Sequence, residues 1–240
     1  MSGATSDLVA ASGDAAWYPI AASNDLPLRH TFAGKLLGVE LVVWRADDGH
    51  VNVWLDRCLH RGVRLSIGSN DGAQLRCQYH GWRYASRSGG CVYIPAHPGE
   101  APARALCVSV FPSVERDGLV WTSLAADGGA PSLDLGAGPS LVLRAIPVRA
   151  RAETVSALLA PLPPGVRVVV QPTDDATCIV RGVVFPRPSE EEVLAVLREH
   201  DERLIRIRDR VESDAAAAPV AVRSRYAMRE KSSAVRRLHR

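Results

Sequence analysis

Short apolar runs, separated by turn-forming residues, fill the first half of the chain. Residues 39–44 and 51–55 are rich in β-branched and aromatic side chains, and they flank Asp47-Asp48-Gly49-His50. This arrangement predicts a β-hairpin. Further short strands are predicted at 74–76, 82–84, 91–93 and 119–122. Glycine, serine, asparagine and aspartate separate these runs, which is typical of a small antiparallel sandwich.

The second half of the chain has a different pattern. Between residues 125 and 140 the composition shifts to glycine, alanine, proline, serine and aspartate, which predicts a linker. A strand is predicted over 141–148. Residues 166–171 and 177–185 then predict a second hairpin around an acidic turn.

A helix is predicted from Ser189 to about Ser213, because Ser189 and Glu192 have the spacing of a capping box. Apolar side chains recur in it at alternating steps of four and three, which predicts one packed face. The residues on that face are Val193, Leu197, His200, Leu204, Ile207 and Val211. We interpret His200 as a core or interface residue rather than a metal ligand.

Composition and charge narrow the class of protein. The chain has 240 residues, of which 47% are apolar and 23% are charged, so one domain or one domain with a smaller appendage is expected. No apolar run reaches the ~18 residues of a spanning helix, and the N-terminus lacks the pattern of a signal peptide. We therefore expect a cytoplasmic protein that does not bind membranes. Residues 223–240 carry seven basic residues and one acid, which we interpret as a solvated tail.

Five cysteines are an odd number for a disulfide framework and favour metal ligation or buried thiols. Three of them stand in strand-like apolar contexts and are expected to be buried thiols. These are Cys91, Cys107 and Cys178.

The remaining two cysteines belong to the pattern that carries chemistry. Cys58-Leu59-His60 is followed, after sixteen residues, by Cys77-Gln78-Tyr79-His80. A [2Fe–2S] cluster with two cysteines on one iron and two histidines on the other needs these four ligands. Tetrahedral zinc is the alternative, although zinc sites usually group cysteine with cysteine and histidine with histidine.

Three segments, residues 58–62, 65–68 and 77–84, resemble the Rieske domain of Rieske non-heme iron oxygenases, and the ring-hydroxylating and O-demethylase α subunits in particular. The resemblance extends over residues 16–124. It implies a mainly β (α+β) fold, a Rieske-type antiparallel β-sandwich with cluster-binding loops. It also implies a [2Fe–2S] cluster, with the ligands Cys58, His60, Cys77 and His80.

Respiratory Rieske proteins share these ligands but add one cysteine to each loop, and the two added cysteines form a disulfide. The corresponding neighbours in this chain are Val63 or Arg64 in one loop and Gln78 or Tyr79 in the other. The sequence therefore resembles the oxygenase or ferredoxin type. Few hydrogen bonds to the sulfurs would place the potential toward the low end of the Rieske range, about −150 mV.

Residues 166–185 and the helix after Ser189 resemble the closing hairpin and last helix of the oxygenase catalytic domain. That domain holds a mononuclear Fe(II) on two histidines and one carboxylate. The family's His-x4-His pattern is missing here, and only His200 and His239 follow the linker. We therefore expect a shortened catalytic-like region, and a mononuclear Fe(II) is in question.

The expected organisation follows the chain in five parts. They are a disordered N-terminus (1–16), a Rieske [2Fe–2S] domain (17–124), a linker (125–140), a truncated catalytic-like hairpin and helix (141–213), and a basic disordered tail (214–240).

The favoured function is electron transfer from a flavin or ferredoxin reductase to an oxygenase iron site on a partner subunit, within a homo- or hetero-oligomer. One alternative is a complete oxygenase, a hydroxylase or O-demethylase, with a non-standard iron site that uses His200 and Asp201 or Asp209. A cluster-based redox sensor with a nucleic-acid-binding tail is the third hypothesis. No recognition helix or stacking platform supports it, so nucleic acid is not an expected partner.

Overall fold

The computed structural model describes residues 16–99, 105–125 and 135–217. Its strands are β1 (Tyr18–Ala22), β2 (Thr31–Leu36), β3 (Val39–Arg45), β4 (Val51–Leu55), β5 (Ser69–Asn70), β6 (Gln74–Arg76), β7 (Arg83–Ala85), β8 (Cys91–Tyr93), β9 (Val110–Phe111), β10 (Ser113–Arg116), β11 (Leu119–Thr122), β12 (Leu141–Val142), β13 (Ile146–Val148), β14 (Val166–Pro172) and β15 (Cys178–Val184). The helices are α1 (Ala152–Leu159) and α2 (Glu190–Ala217), with short 3-10 turns at Ser23–Asp25 and Leu65–Ile67.

Three antiparallel sheets build the first half of the chain. Strands β2-β3-β4-β9 form one sheet, β5-β6-β7-β8 a second, and β1-β11-β10 a third. The predicted hairpin is the β3–β4 pair, in which Val43 lies opposite Val53 and both side chains are buried. The predicted mainly β fold is confirmed.

The β5–β8 sheet and the loops beside it share one buried cluster with the β3–β4 hairpin. Trp44 and Trp54 pack edge to face in this cluster, with ring centroids 5.1 Å apart. Cys58, Cys77 and Tyr84 belong to the same cluster. The loops that carry the candidate ligands therefore pack on a buried apolar cluster.

The second half is built on the predicted β14–β15 hairpin. Strands β12 and β13 both pair with β15, opposite its β14 edge, so the single strand predicted over 141–148 is divided into two short strands. Pro147 stands in β13, at an edge position where a residue without an amide hydrogen is tolerated.

Both helices pack on this C-terminal sheet. One arm of the predicted capping box is present, because the Ser189 amide donates to the Glu192 carboxylate at 3.1 Å. The Ser189 hydroxyl donates to the same carboxylate at 2.7 Å. His200 is buried in the apolar face of α2, as interpreted from the sequence. The predicted end of α2 near Ser213 was too early, since the helix continues to Ala217. Helix α1 was not predicted.

A buried cluster joins the two halves. It contains Trp17 and Trp121 from the first half and Leu135, Val183 and Phe185 from the second. Leu135 lies inside the stretch predicted as a linker, so this end of the stretch packs into the folded body. The five-part division of the chain stays a prediction.

Several predicted features lie outside the described residues. They are the disordered N-terminus up to residue 15, the middle of the linker (126–134) and the tail after residue 217. Within the described ranges, no helix combines the length and the apolar character that crossing a membrane requires.

Candidate metal centre

The four candidate ligands lie on two loops with the same backbone hydrogen-bond pattern. In the first loop the Cys58 amide donates to the Val63 carbonyl, and the Gly62 amide donates to the Cys58 carbonyl, both at 2.8 Å. In the second loop the Cys77 amide donates to the Trp82 carbonyl at 2.8 Å, and the Gly81 amide donates to the Cys77 carbonyl at 3.1 Å. Each loop thus presents one cysteine at its base.

Glycine is required at the same place in both loops. Gly62 has φ +67° and Gly81 has φ +69°, in the left-handed region that side chains with a Cβ disfavour. A Cβ on Gly81 would also lie 3.2 Å from Pro95 Cγ, tighter than an ordinary contact. The glycine that follows each ligand segment therefore allows the tight return of the chain.

The two thiols are buried. Burial raises the pKa of the Cys77 thiol, and the neighbouring Cys58 sulfur raises it further. The amides of Tyr79 and His80 donate to the Cys77 sulfur and act in the opposite direction. These donors favour the thiolate, the form that binds metals.

Cys58 has a separate hydrogen-bond partner. Its sulfur lies 3.1 Å from the hydroxyl of Tyr84, which is fully buried. The same hydroxyl oxygen accepts a hydrogen bond from the Leu59 amide at 3.2 Å, which leaves its proton for the sulfur. Burial and the neighbouring Cys58 raise the pKa of Tyr84, so this hydroxyl stays protonated.

The two imidazoles lie at the surface. His60 Nδ1 and His80 Nδ1 are 2.9 Å apart, so these atoms are placed to bind the same ion. Trp82 stacks on His60 with ring centroids 4.9 Å apart and planes 4° from parallel. The ring of Tyr79 packs on the ring of His80, with centroids 3.7 Å apart. Partial removal from water, together with the charges of His60 and Arg61, lowers the pKa of His80, which favours the neutral, ligating form.

The donor set fits a two-iron cluster. Cys58 and Cys77 face each other inside, and His60 and His80 face each other at the surface. Tetrahedral zinc would need all four side chains around one point. In the described ranges, however, no three His, Cys, Asp or Glu side chains converge as a single-ion site. A cluster with one iron at each end matches this separation into pairs.

The three non-ligand cysteines lie away from the metal-ligand positions, and Asp56 supports the first loop. Cys91 and Cys178 are buried, as expected, and burial raises the pKa of Cys178 to about 12. The expectation for Cys107 was wrong, because its side chain is exposed beside the bridge that its backbone forms with Gly90. Asp56 accepts two hydrogen bonds from Ser66, at 2.7 and 2.6 Å, and so holds the turn after the first loop.

The second-site residues considered in the sequence are not brought together as a metal site. His200 is buried against the sheet, and burial lowers its pKa. Asp201 pairs with Arg144 at 3.4 Å, and Asp209 pairs with Arg208 at 2.8 Å. The expectation about mononuclear Fe(II) stays a prediction.

Comparison with known protein families agrees with the loop geometry. The model of the Rieske [2Fe-2S] domain matches residues 16–112, which include both ligand loops. This part of the chain is a Rieske domain. The match confirms the prediction, made from the sequence, that this part of the chain is of a type that binds a [2Fe–2S] cluster.

Curated relatives match the same part of the chain. The oxidoreductase NdmD of Pseudomonas putida is 51% identical over 115 residues, which are 48% of this chain and 20% of NdmD. The methylxanthine N1-demethylase NdmA of the same organism is 37% identical over 113 residues, 45% of this chain and 32% of NdmA. The chain thus spans between a fifth and a third of these two relatives.

Solved structures share the fold over a longer stretch. Apo dicamba monooxygenase is similar with a TM-score of 0.68 and 21% identity, over 84% of this chain and 86% of that one. NdmA of Pseudomonas putida has a TM-score of 0.63 and 21% identity, over 82% of this chain and 80% of the NdmA chain. The resemblance to Rieske oxygenase subunits therefore includes the fold of the C-terminal region.

Sequence reasoning missed two features of this site. It did not foresee the hydrogen bond between the Tyr84 hydroxyl and the Cys58 sulfur. It also did not foresee that Trp82, from the second loop, stacks on His60 of the first. Both contacts depend on how the two loops meet, which the spacing within each loop does not encode.

Proposed function

We propose that Cys58 and Cys77 bind one iron of a [2Fe–2S] cluster and that His60 and His80 bind the other. The single observation that carries this assignment is the separation of the four side chains into a buried thiol pair and an exposed imidazole pair. When bound, such a cluster stores and releases one electron at a time.

The residues around the two thiols and those around the two imidazoles have different roles. The buried thiol side, with its Tyr84 and backbone donors, stabilises negative charge on the sulfurs and so favours the reduced state. The exposed histidine side gives electrons a short route between protein surface and cluster. Trp82 fixes the His60 ring by stacking on it, which keeps the ligand oriented in both redox states.

We propose further that the chain passes electrons from a flavin or ferredoxin reductase to an oxygenase iron site on a partner subunit. The names of its relatives support such a system, since they include an oxidoreductase, a demethylase and an iron-sulfur subunit of a toluene-4-sulfonate monooxygenase system. The buried position of His200 supports placing the oxygen-activating iron elsewhere.

An electron count tests this proposal. The purified chain, with its cluster, would be titrated anaerobically with dithionite while EPR and absorbance are recorded. We expect one electron per chain and a Rieske signal that develops in a single step. Uptake of a second electron, together with the loss of a mononuclear high-spin Fe(III) EPR signal, would contradict the carrier assignment and favour a complete oxygenase.

A further inference from the structure

The two ligand loops are strongly basic. Residues 57–64 and 76–83 contain five arginines and no aspartate or glutamate, whereas the whole chain has 29 basic and 26 acidic residues. The five are Arg57, Arg61, Arg64, Arg76 and Arg83. Positive charge is therefore concentrated at the end of the molecule that carries the exposed histidines.

Two of these arginines are engaged within the domain. Arg64 forms an ion pair with Glu40, and the Arg83 guanidinium lies 4.9 Å from the centre of the Tyr93 ring. The other three, Arg57, Arg61 and Arg76, have exposed side chains. Within the part of the chain that the structure describes, no acidic side chain pairs with any of the three.

These three arginines border the ligand loops. A Cβ placed on Gly62 would lie 3.8 Å from Arg57 Nη1, and one on Gly81 would lie 3.6 Å from Arg76 Nε. Each of these guanidinium groups therefore lies beside one ligand loop. Arg61 directly follows the ligand His60 in the chain.

The centre of this surface is apolar. Leu59 and Tyr79 are 43% and 57% exposed, and each stands next to a candidate histidine ligand. An apolar centre with a charged rim is the usual anatomy of a protein–protein interface, and tyrosine and arginine are enriched in such interfaces. The patch therefore suits a protein partner better than a small ion.

We propose that the apolar centre, Leu59 and Tyr79, and the three arginines around it form a docking surface for an acidic redox protein. The three arginines, Arg57, Arg61 and Arg76, are called the arginine rim. The inference rests on the proposed electron-transfer function and names the charge of the partner. Positive charge around the exposed histidines steers an acidic partner to the point where the electron crosses. In that step the reduced partner loses one electron and the oxidised cluster gains it, and no bond is made or broken.

Binding between oxidised proteins tests the proposal without any turnover. An acidic plant-type [2Fe–2S] ferredoxin serves as the probe, titrated into the cluster-containing chain in a calorimeter at about 10 mM ionic strength, where charges act over about 30 Å. The test variant carries Arg57→Gln, Arg61→Gln and Arg76→Gln. A second variant replaces the same residues with Lys, which keeps the charge.

The matched control removes three exposed arginines from α2, with the changes Arg198→Gln, Arg206→Gln and Arg210→Gln, so that the net charge falls equally. We expect the glutamine variant of the rim to bind about tenfold more weakly. The lysine variant and the α2 control should bind within about twofold of the wild type. At 0.5 M salt all four proteins should bind alike, because screening shortens the range of the charges.

Equal losses in the rim variant and the α2 control would overturn the proposal, since only net charge would then matter. Binding of a duplex oligonucleotide through the same arginines, with no binding of ferredoxin, would also overturn it. A visible spectrum of each variant distinguishes failure of the proposed function from failure of the docking surface. A chain that assembles no cluster contradicts the proposed function, whereas an intact, dithionite-reducible cluster with salt-independent binding contradicts only the docking surface.

Discussion

Replacing Tyr84 by phenylalanine should lower the reduction potential of the cluster. The change removes one hydroxyl, 3.1 Å from the Cys58 sulfur, and leaves the ring in its fully buried position. Reduction adds an electron to the cluster and makes its sulfurs better acceptors, so the hydrogen bond is stronger in the reduced state. Its loss therefore destabilises the reduced cluster more than the oxidised one.

The size of this effect follows from the energy of one hydrogen bond. A difference of about 1 kcal/mol between the two redox states is reasonable for a hydrogen bond that gains charge on its acceptor. For a one-electron couple, about 1 kcal/mol corresponds to about 40 mV. We therefore expect the potential of the Tyr84→Phe variant to be lower than that of the wild type by about 40 mV.

The potential would be measured by a redox titration followed by circular dichroism, with EPR of the reduced protein as a check on cluster integrity. Tyr93→Phe is the matched control, because Tyr93 lies on the neighbouring strand and its ring contacts Arg83. An unchanged potential in Tyr84→Phe, or an equal shift in Tyr93→Phe, would contradict this role of the Tyr84 hydroxyl.

Three further predictions concern ligation, acid stability and packing. His80→Ala should abolish the Rieske EPR signal, whereas His50→Ala, in the β3–β4 turn, should retain it; a normal signal in the first variant would contradict the ligand assignment. Hydrogen bonds from Arg45 hold the pKa of Glu115 below its ordinary value of 4.5, so this pair stabilises the fold above that pH and loses its effect as the pH falls below it. Acid titrations of unfolding should therefore show a smaller loss of stability between about pH 5 and 3 for Glu115→Gln than for the wild type, and parallel curves would argue against this role. Leu135→Ala should lower the free energy of unfolding, measured by urea denaturation, by about 2–5 kcal/mol. The reason is that Leu135 is buried in the cluster that joins the two halves. A loss below about 0.5 kcal/mol would show that this contact does not join them.

The ligand loops could be predicted in detail from the sequence because their chemistry is local. Cysteine, histidine and glycine stand at fixed short spacings there, and the backbone closes each loop within six residues. The capping box at Ser189 is local in the same way and was also predicted. In both cases the residues that interact are neighbours in the chain.

Other elements could not be predicted because they depend on contacts between distant residues. Helix α1 has only eight residues, and Arg151 at its N-cap makes no side-chain capping bond, so no start signal marks it. Strand β2 contains glycine and lysine in its middle and is held by its pairing with β3. Leu135 is one apolar residue in a stretch with the composition of a linker, and its burial follows from the side chains that meet around it.

Cys107 shows the limit of judging burial from local composition. Its neighbours Leu106 and Val108 are partly or fully buried, yet Cys107 points to the other side of the chain and is exposed. Alternation of side chains along an extended segment makes adjacent residues differ in exposure. The apolar context of the three non-ligand cysteines was therefore the same, while their burial was not.

Metal and sulfide content per chain distinguishes a two-iron cluster from a single-ion site. Iron, zinc and acid-labile sulfide would be measured on anaerobically purified protein, together with the number of chains. We expect two irons and two sulfides per chain, the content of one [2Fe–2S] cluster. One zinc per chain without sulfide would contradict it, because the four side chains would then form a single-ion site.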